Sequence, residues 1–308
     1  MAIRSAYSAE RIVDLIGNTP LVRVRHLTKH LPEKVEIYAK LEYFNPGGSV
    51  KDRPARQIVL DALARGDIGQ GRELIDSTSG NTGVAYAMLG SDLGFGVNLV
   101  MPANVSQARK DIVRAYGANI IFSDPMEGSD GAILLAKKMV EENTDGKYWY
   151  ADQYSNPSNP LAHQLTTGPE IFRDTEGRIT HFVAALGTTG TCTGTGRALR
   201  TLKPDIEIVS VEPDNAFHGL EGLKHMDSSI VPAIYDRSVA HRNLPVSTDD
   251  GWDYAEKLAA EEGLPVGYSG GAAFAGALQV ASELDEGVIV CIFPDHIDRY
   301  LTPRKLEK

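Results

Sequence analysis

Lys51 closes the run Pro46-Gly47-Gly48-Ser49-Val50 and directly precedes Asp52-Arg53-Pro54. Pro-Gly-Gly makes a turn, after which Ala55, Ile58, Val59, Ala62 and Leu63 recur at the spacing of one buried helical face. The lysine therefore falls at or just before the first turn of that helix. The helix macrodipole favours anions at this end, and positive potential and burial both lower an amine pKa. An amine that spends time neutral can form a Schiff base with an aldehyde cofactor. Taken alone, the stretch also reads as a solvated lysine in a glycine-rich loop.

Three further loops carry groups that can do chemistry. Gly187-Thr188-Thr189-Gly190-Thr191 follows an apolar run and precedes a helical pattern. Backbone N–H groups at such a turn converge on an anion, the threonine hydroxyls add donors, and the helix start supplies a favourable field. The loop has neither the lysine of a P-loop nor a GxGxxG spacing, so a single phosphate monoester suits it best, with a merely tight turn as the alternative. Ser77-Thr78-Ser79-Gly80-Asn81-Thr82-Gly83 can hold a carboxylate on backbone N–H groups while Asn81 reaches a ring oxygen; it also reads as an ordinary capped helix start. In Gly267-Tyr268-Ser269-Gly270-Gly271, Ser269 is by default an N-cap and otherwise a partner for a buried ring nitrogen.

These loops need a scaffold, and the hydrophobic pattern supplies one. Short apolar runs at Leu74–Asp76, Val97–Met101 and Ile120–Phe122 alternate with helical patterns ending near 89, over 106–116 and over about 129–142. Repeated βα units imply an α/β fold with open, twisted parallel sheets and helices on both faces. The polar stretch 143–160, with Asn156-Pro157 and Asn159-Pro160, interrupts the alternation and marks the return to a second domain. There Phe182–Leu186 and Ile206–Val211 read as strands, with a helix from about Gly194. Residues 213–247 read as a long loop. Helices over 249–262 and 271–283 flank a last strand, Val288–Phe293. Ligands of open parallel sheets bind at the carboxyl ends of the strands, so the four loops are expected to meet in one cleft.

Gly17-Asn18-Thr19-Pro20-Leu21 and the four stretches above stand in the order and approximate spacing of the cysteine synthases. Over residues 12–303 the chain resembles that family, fold-type II pyridoxal-phosphate enzymes whose relatives include cystathionine β-synthase. The resemblance implies pyridoxal 5'-phosphate as cofactor and Lys51 as the Schiff-base lysine. It implies Asn81 beside the phenolic oxygen, Gly187, Thr188, Thr189, Gly190 and Thr191 around the phosphate, and Ser269 at the pyridine nitrogen. Thr78, Ser79, Asn81 and Thr82, with Gln153, match the site of the substrate carboxylate. It also implies a homodimer in which a smaller mobile domain, 45–151, closes on a larger cofactor-binding domain, 1–44 plus 152–308.

A neutral serine at a pyridine nitrogen stabilises a carbanion less than an aspartate would, which favours expelling a leaving group from Cβ as the Cα proton departs. The implied reaction is β-replacement: an O-activated L-serine (O-acetylserine or O-phosphoserine) loses its leaving group to give an α-aminoacrylate, and sulfide or thiosulfate adds to form cysteine. The Gly-Thr-Thr-Gly-Thr wording is similar to the B type. Lys224 stands where that branch places a basic residue facing the donor, although a lysine lacks arginine's bidentate fork for phosphate; it also reads as a surface charge. A cystathionine β-synthase-like condensation, a serine/threonine dehydratase and a catalytically silent binding protein of the same fold are the alternatives. Asp298-Arg299-Tyr300-Leu301 fits the family, whereas Phe293-Pro294-Asp295-His296-Ile297 departs from it, and the tail to Lys308 is short for a segment that folds back into a cleft. A sulfur-carrier or acetyltransferase partner is left undefined.

The formal charge of -10 argues against non-specific nucleic-acid binding, which needs a basic face. Cys192 and Cys291, the only two cysteines, sit in apolar or small-residue strings without metal-ligand or CxxC spacing. They are expected to be buried packing residues in a reducing compartment, with no metal bound. The start of the chain has no charged-then-apolar signal pattern and no apolar run approaches membrane length, so a cytoplasmic location is expected.

Overall fold

Strand–helix alternation builds two sheets in the structure, a computed structural model that describes residues 9–78 and 80–300. The chain opens with β1 (Leu21–Val24) and β2 (Val35–Leu41), passes the lysine loop, and enters α1 (Asp52–Arg65). Then come β3 (Glu73–Ser77), α2 (Asn81–Leu93), β4 (Val97–Pro102), α3 (Gln107–Ala115), β5 (Asn119–Ser123), α4 (Gly128–Glu141) and β6 (Tyr148–Tyr150). Strands β3 to β6 form one parallel sheet in the order β5-β4-β3-β6.

The return continues through α5 (Ser158–Leu165), α6 (Thr167–Asp174), β7 (His181–Ala185), α7 (Gly190–Leu202), β8 (Glu207–Pro213) and β9 (Arg242–Val246). It ends with α8 (Thr248–Glu262), α9 (Tyr268–Ala281) and β10 (Gly287–Phe293). The larger sheet runs β1-β2-β10-β7-β8-β9 and is parallel except where β1 pairs antiparallel with β2.

Both faces of each sheet are covered, and alternation along the strands shows it. Val183, Ile289 and Cys291 pack with Phe274 and Leu258 from α9 and α8, whereas Phe182, Val290 and Ile292 pack with Ile171 and Leu199 from α6 and α7. In the smaller sheet Leu74 and Leu99 join α1 and α2, and Ile75 and Val100 meet Ala132 and Ala136 of α4. Every residue of β10 is buried, as expected of a central parallel strand with helices on both sides. Both cysteines are free and buried. Among the described residues no helix is long and apolar enough to cross a membrane.

Several boundaries differ from the sequence reading. Helix α7 begins at Gly190 rather than near Gly194, because Thr189 takes a left-handed φ of 70° and turns the chain straight into the helix. Residues 213–247 end in a strand, β9, whose Pro245 is tolerated at a sheet edge. The interruption at 143–160 holds β6 and the start of α5. Gly267, not Ser269, caps α9, which leaves the Ser269 side chain free for another role in the first turn. Ser79 and Leu301 lie outside the described residues.

Candidate active site

The lysine loop is held from beneath. Asp52 Oδ2 accepts a hydrogen bond from the Gly47 N–H at 2.5 Å, and a side chain at Gly47 would collide with that carboxylate. Burial raises the Asp52 carboxyl to about 7, against the opposing pull of the Gly47 N–H and Arg299. One residue further, Arg53 is buried with a full set of partners: Nε donates to Glu42 Oε2 at 2.6 Å and Nη2 to Glu170 Oε2 at 2.7 Å. Lys40 Nζ joins Glu170 at 3.0 Å. The burial cost of this cluster is offset by complete pairing, and it ties the start of α1 to β2 and α6.

Above this base the Lys51 side chain enters a cavity of about 370 Å³. Thr78, Asn81, Thr82, Gln153, Gly187, Thr188 and Lys224 line the same cavity. A narrower recess of about 50 Å³ shares Lys51, Asn81 and Gly187 as walls and runs inward to Thr189, Thr191, Ser269 and Asp295. The Lys51 amine makes no hydrogen bond or ion pair with any described residue. Burial pulls it below the ordinary lysine range, with the Asp295 carboxylate opposing. All four loops meet here; Gly190 lines neither space and stands behind the recess as the first residue of α7.

The cup at 187–191 is shaped by close approaches. A Cβ at Gly187 would strike the Gly222 carbonyl, and one at Gly190 would strike the Asn159 side chain. Asn159 Nδ2 donates to the Gln153 carbonyl at 2.7 Å and to Thr188 Oγ1 at 3.2 Å. His163 Nε2 lies 3.2 Å from Thr191 Oγ1; burial, with Arg53 and Lys51 nearby, holds this imidazole well below its usual pKa, hence neutral. Thr189 Oγ1 is buried without a protein partner among the described residues. The cup thus presents an orphan hydroxyl and the N-terminus of a long helix to an anion.

The 77–83 loop is more occupied than its sequence implied. Thr78 Oγ1 accepts from the Gly80 and Gly83 N–H groups, each at 3.2 Å. Thr82 Oγ1 donates to Gln153 Oε1 at 2.8 Å, and Gln153 Nε2 donates to the Ser77 carbonyl at 2.8 Å. Thr82, Gln153, Asn159 and Thr188 therefore form one chain of contacts from the loop to the cup. Lys224 Nζ sits 3.4 Å from Asp130 Oδ1 and 5.3 Å from the centroid of the Tyr154 ring.

Other side chains lining these spaces escaped the sequence reading: Arg109, paired with Glu221, and Asp130, Tyr154, Asp295 and Tyr300. Arg299, which bonds Asn81, escaped as well. The doubled Asn-Pro at Asn159, the unusual segment at Asp295 and the family-like Asp298-Arg299-Tyr300-Leu301 run offered signals in the sequence, without a role for any of these residues.

Residues 12–295 match the model of the family described as pyridoxal-phosphate dependent enzymes. The chain belongs to this family. It is 53% identical over 298 residues to a cysteine synthase of Aquifex aeolicus, covering 95% of this chain and 91% of the relative. It is 43% identical to cysteine synthase B of Salmonella typhimurium, covering 93% of each. Among solved structures, a cysteine synthase from Entamoeba histolytica superposes with a TM-score of 0.93 at 37% identity, covering 98% of this chain and 93% of that one.

The family's cofactor, a phosphorylated pyridine aldehyde, fits what the cleft offers. The amine of Lys51 is without a partner among the described residues, the cup leaves a buried hydroxyl unsatisfied, and Gly187 and Gly190 sit where side chains would collide with their surroundings.

Proposed function

We propose that this chain is a cysteine synthase that replaces the Cβ substituent of an O-activated L-serine with a sulfur nucleophile. The observation that carries the reading is the Lys51 amine, unpartnered among the described residues, in the wall shared by cavity and recess. Lys51 would hold pyridoxal phosphate, with Gly187, Thr188, Thr189, Gly190 and Thr191 around the phosphate, Asn81 at the phenolic oxygen and Ser269 at the ring nitrogen. When bound, the cofactor supplies an electron sink that acidifies the Cα proton of the amino acid. Lys51 takes that proton and returns it, since its lowered pKa keeps a neutral amine accessible.

The N–H groups of the first turn of α2, with Thr78, Ser79, Asn81 and Thr82, receive the substrate carboxylate. Gln153 braces Thr82 through its amide oxygen and the Ser77 carbonyl through one N–H, which leaves its second N–H, uncommitted among the described residues, for the substrate carboxylate. Lys224 faces the leaving group or the incoming sulfur anion from the cavity wall, its charge shared with Asp130. The smaller domain, 45–151, closes over the substrate and excludes water. The protein works as a homodimer in the cytoplasm.

Replacing Lys51 with alanine tests the assignment. Cysteine formation from O-acetylserine and sulfide should fall by at least about 10²–10⁴-fold, with the cofactor held only weakly. Near-native synthesis by Lys51→Ala would overturn it. Offering O-acetylserine, O-phosphoserine or serine as donor, and sulfide, thiosulfate or homocysteine as acceptor, then assigns the physiological pair.

A further inference from the structure

Asn81 is bound from two sides by the segment that follows β10. Its Nδ2 donates to Asp295 Oδ2 at 2.6 Å, and its Oδ1 accepts from Arg299 Nη1 at 2.7 Å. Both partners are anchored in turn. Tyr300 donates its hydroxyl proton to the same Asp295 oxygen at 2.5 Å, and Arg299 Nη2 donates to the Gly47 carbonyl in the lysine loop at 2.6 Å. Backbone contacts tighten the frame: Ser49 bridges to Asp295, and the Val50 N–H bonds the Pro294 carbonyl at 2.8 Å. Asp295 is 1% exposed, and its Oδ1 has no partner among the described residues.

A primary amide has two N–H donors and one acceptor oxygen. Here one donor is committed to a carboxylate and the oxygen to a guanidinium. Rotating the amide by 180° would set its NH2 against Arg299 and its oxygen against Asp295, two repulsive contacts in a partly buried place. A single orientation survives, and it leaves one N–H uncommitted among the described residues, at the wall of the recess.

We propose that Asp295 and Arg299 are positioning residues for Asn81: together they lock its side-chain amide so that one N–H donor stays aimed into the recess beside Lys51. Gly47 extends the device. Because one guanidinium holds both Asn81 and the lysine loop, the donor and the amine are kept in register although they belong to different elements. Gly48, at φ 78°, is the residue that lets Arg299 through, since any side chain there would collide with the guanidinium. The inference deepens the proposed function and rests on it for the identity of the group the donor meets; the orientation of Asn81 is testable without that reading.

The experiment uses the full-length protein freed of cofactor and labelled with ¹⁵N only at asparagine, the Asn81 side-chain signals being assigned by their loss in Asn81→Ala. The wild-type pair should be displaced downfield by its charged partners and protected from solvent exchange. Arg299→Met should collapse the displacement and speed exchange at least about tenfold, with Arg299→Lys restoring part of it. Loaded with pyridoxal phosphate, Arg299→Met should lose about 10- to 100-fold in kcat, the scale of a misplaced group, with little change in KM. Arg299→Met/Asn81→Ala should then be no worse than Asn81→Ala. Should Arg299→Met not fold, the near-isosteric Asp295→Asn gives the same readout. Unchanged Asn81 signals in a folded Arg299→Met or Asp295→Asn protein would overturn the proposal, as would additive losses in the double variant. The function fails separately, through retained turnover in Lys51→Ala.

Discussion

Thr189 carries more conformational strain than its neighbours in the cup. A β-branched residue at φ 70° is rare and costs on the order of 1–3 kcal/mol, and its hydroxyl is buried without a protein partner among the described residues. The hydroxyl's cost is recovered when an anion accepts that O–H. Thr189→Gly should therefore have opposite effects on the two forms of the protein. Cofactor-free, the variant relieves the backbone and loses the orphan hydroxyl, at the expense of glycine's greater chain entropy; a net gain of about 1 kcal/mol is expected, seen as a rise of about 1–2 °C in Tm. Loaded, it lacks a phosphate donor and should release pyridoxal phosphate faster. Paired thermal melts with and without cofactor would show the crossover, and a variant less stable when cofactor-free, with unchanged cofactor affinity, would contradict it.

At the scale of elements, the seat of α1 is electrostatic. Arg53, Glu42, Glu170 and Lys40 join the start of that helix to β2 and α6 with almost no solvent contact. Arg53→Met would strand Glu42 in the interior, and losses of about 3–5 kcal/mol follow from breaking such a pair. Glu170 adds a pH signature. The Arg53 and Lys40 charges and the Asn18 N–H hold its carboxyl down at about 2 despite burial. A depressed folded-state pKa contributes stability that is fully present above the unfolded value, near 4.5, and is lost as the pH falls through about 2. Glu170→Gln should thus be destabilised by on the order of 3 kcal/mol at neutral pH, with its deficit shrinking toward zero between about pH 4 and pH 2; urea melts across that range decide it, and a pH-independent deficit would speak against it. These partners also mark the limit of what the chain discloses on its own. The strands and the glycine loops were legible because apolar periodicity and turn residues are local signals. Helices α5 and α6 were not, since Pro157, Pro160 and the Gly168-Pro169 pair break the pattern from which a helix is read. Strand β6, only three residues long, is too short to show alternation. The residues proposed to face the cofactor were legible as motifs, but Asp295 and Arg299 were not recognisable as companions of Asn81, more than 200 positions away. Contacts of that kind follow from how sheets stack, which no local spacing encodes.

Across the whole molecule, two ion pairs span the cleft from the smaller sheet's helices to the loop after β8. Arg109 of α3 meets Glu221, and Asp130 of α4 meets Lys224 at 3.4 Å. Each pair has one largely covered partner and one that is 42–48% exposed on its side chain, so each is screened and worth about 1 kcal/mol or less. If the smaller domain closes as proposed, together they would amount to roughly one decade in the balance between closed and open cleft, because about 1.4 kcal/mol is tenfold. That would bias the proposed closure without locking it. Both pairs weaken as the Debye length shrinks from about 10 Å at 0.1 M salt to about 3 Å at 1 M. The double variant Glu221→Gln/Asp130→Asn should therefore lose this bias. Amide exchange in α3 and α4 should quicken by up to about tenfold, and the donor KM should rise, because a cleft that opens more readily holds its substrate less well. Wild type should approach the variant as salt is raised, while the variant's own KM stays nearly flat. Parallel salt profiles for the two proteins would show instead that these contacts are ordinary surface pairs, and that closure is driven by the substrate alone.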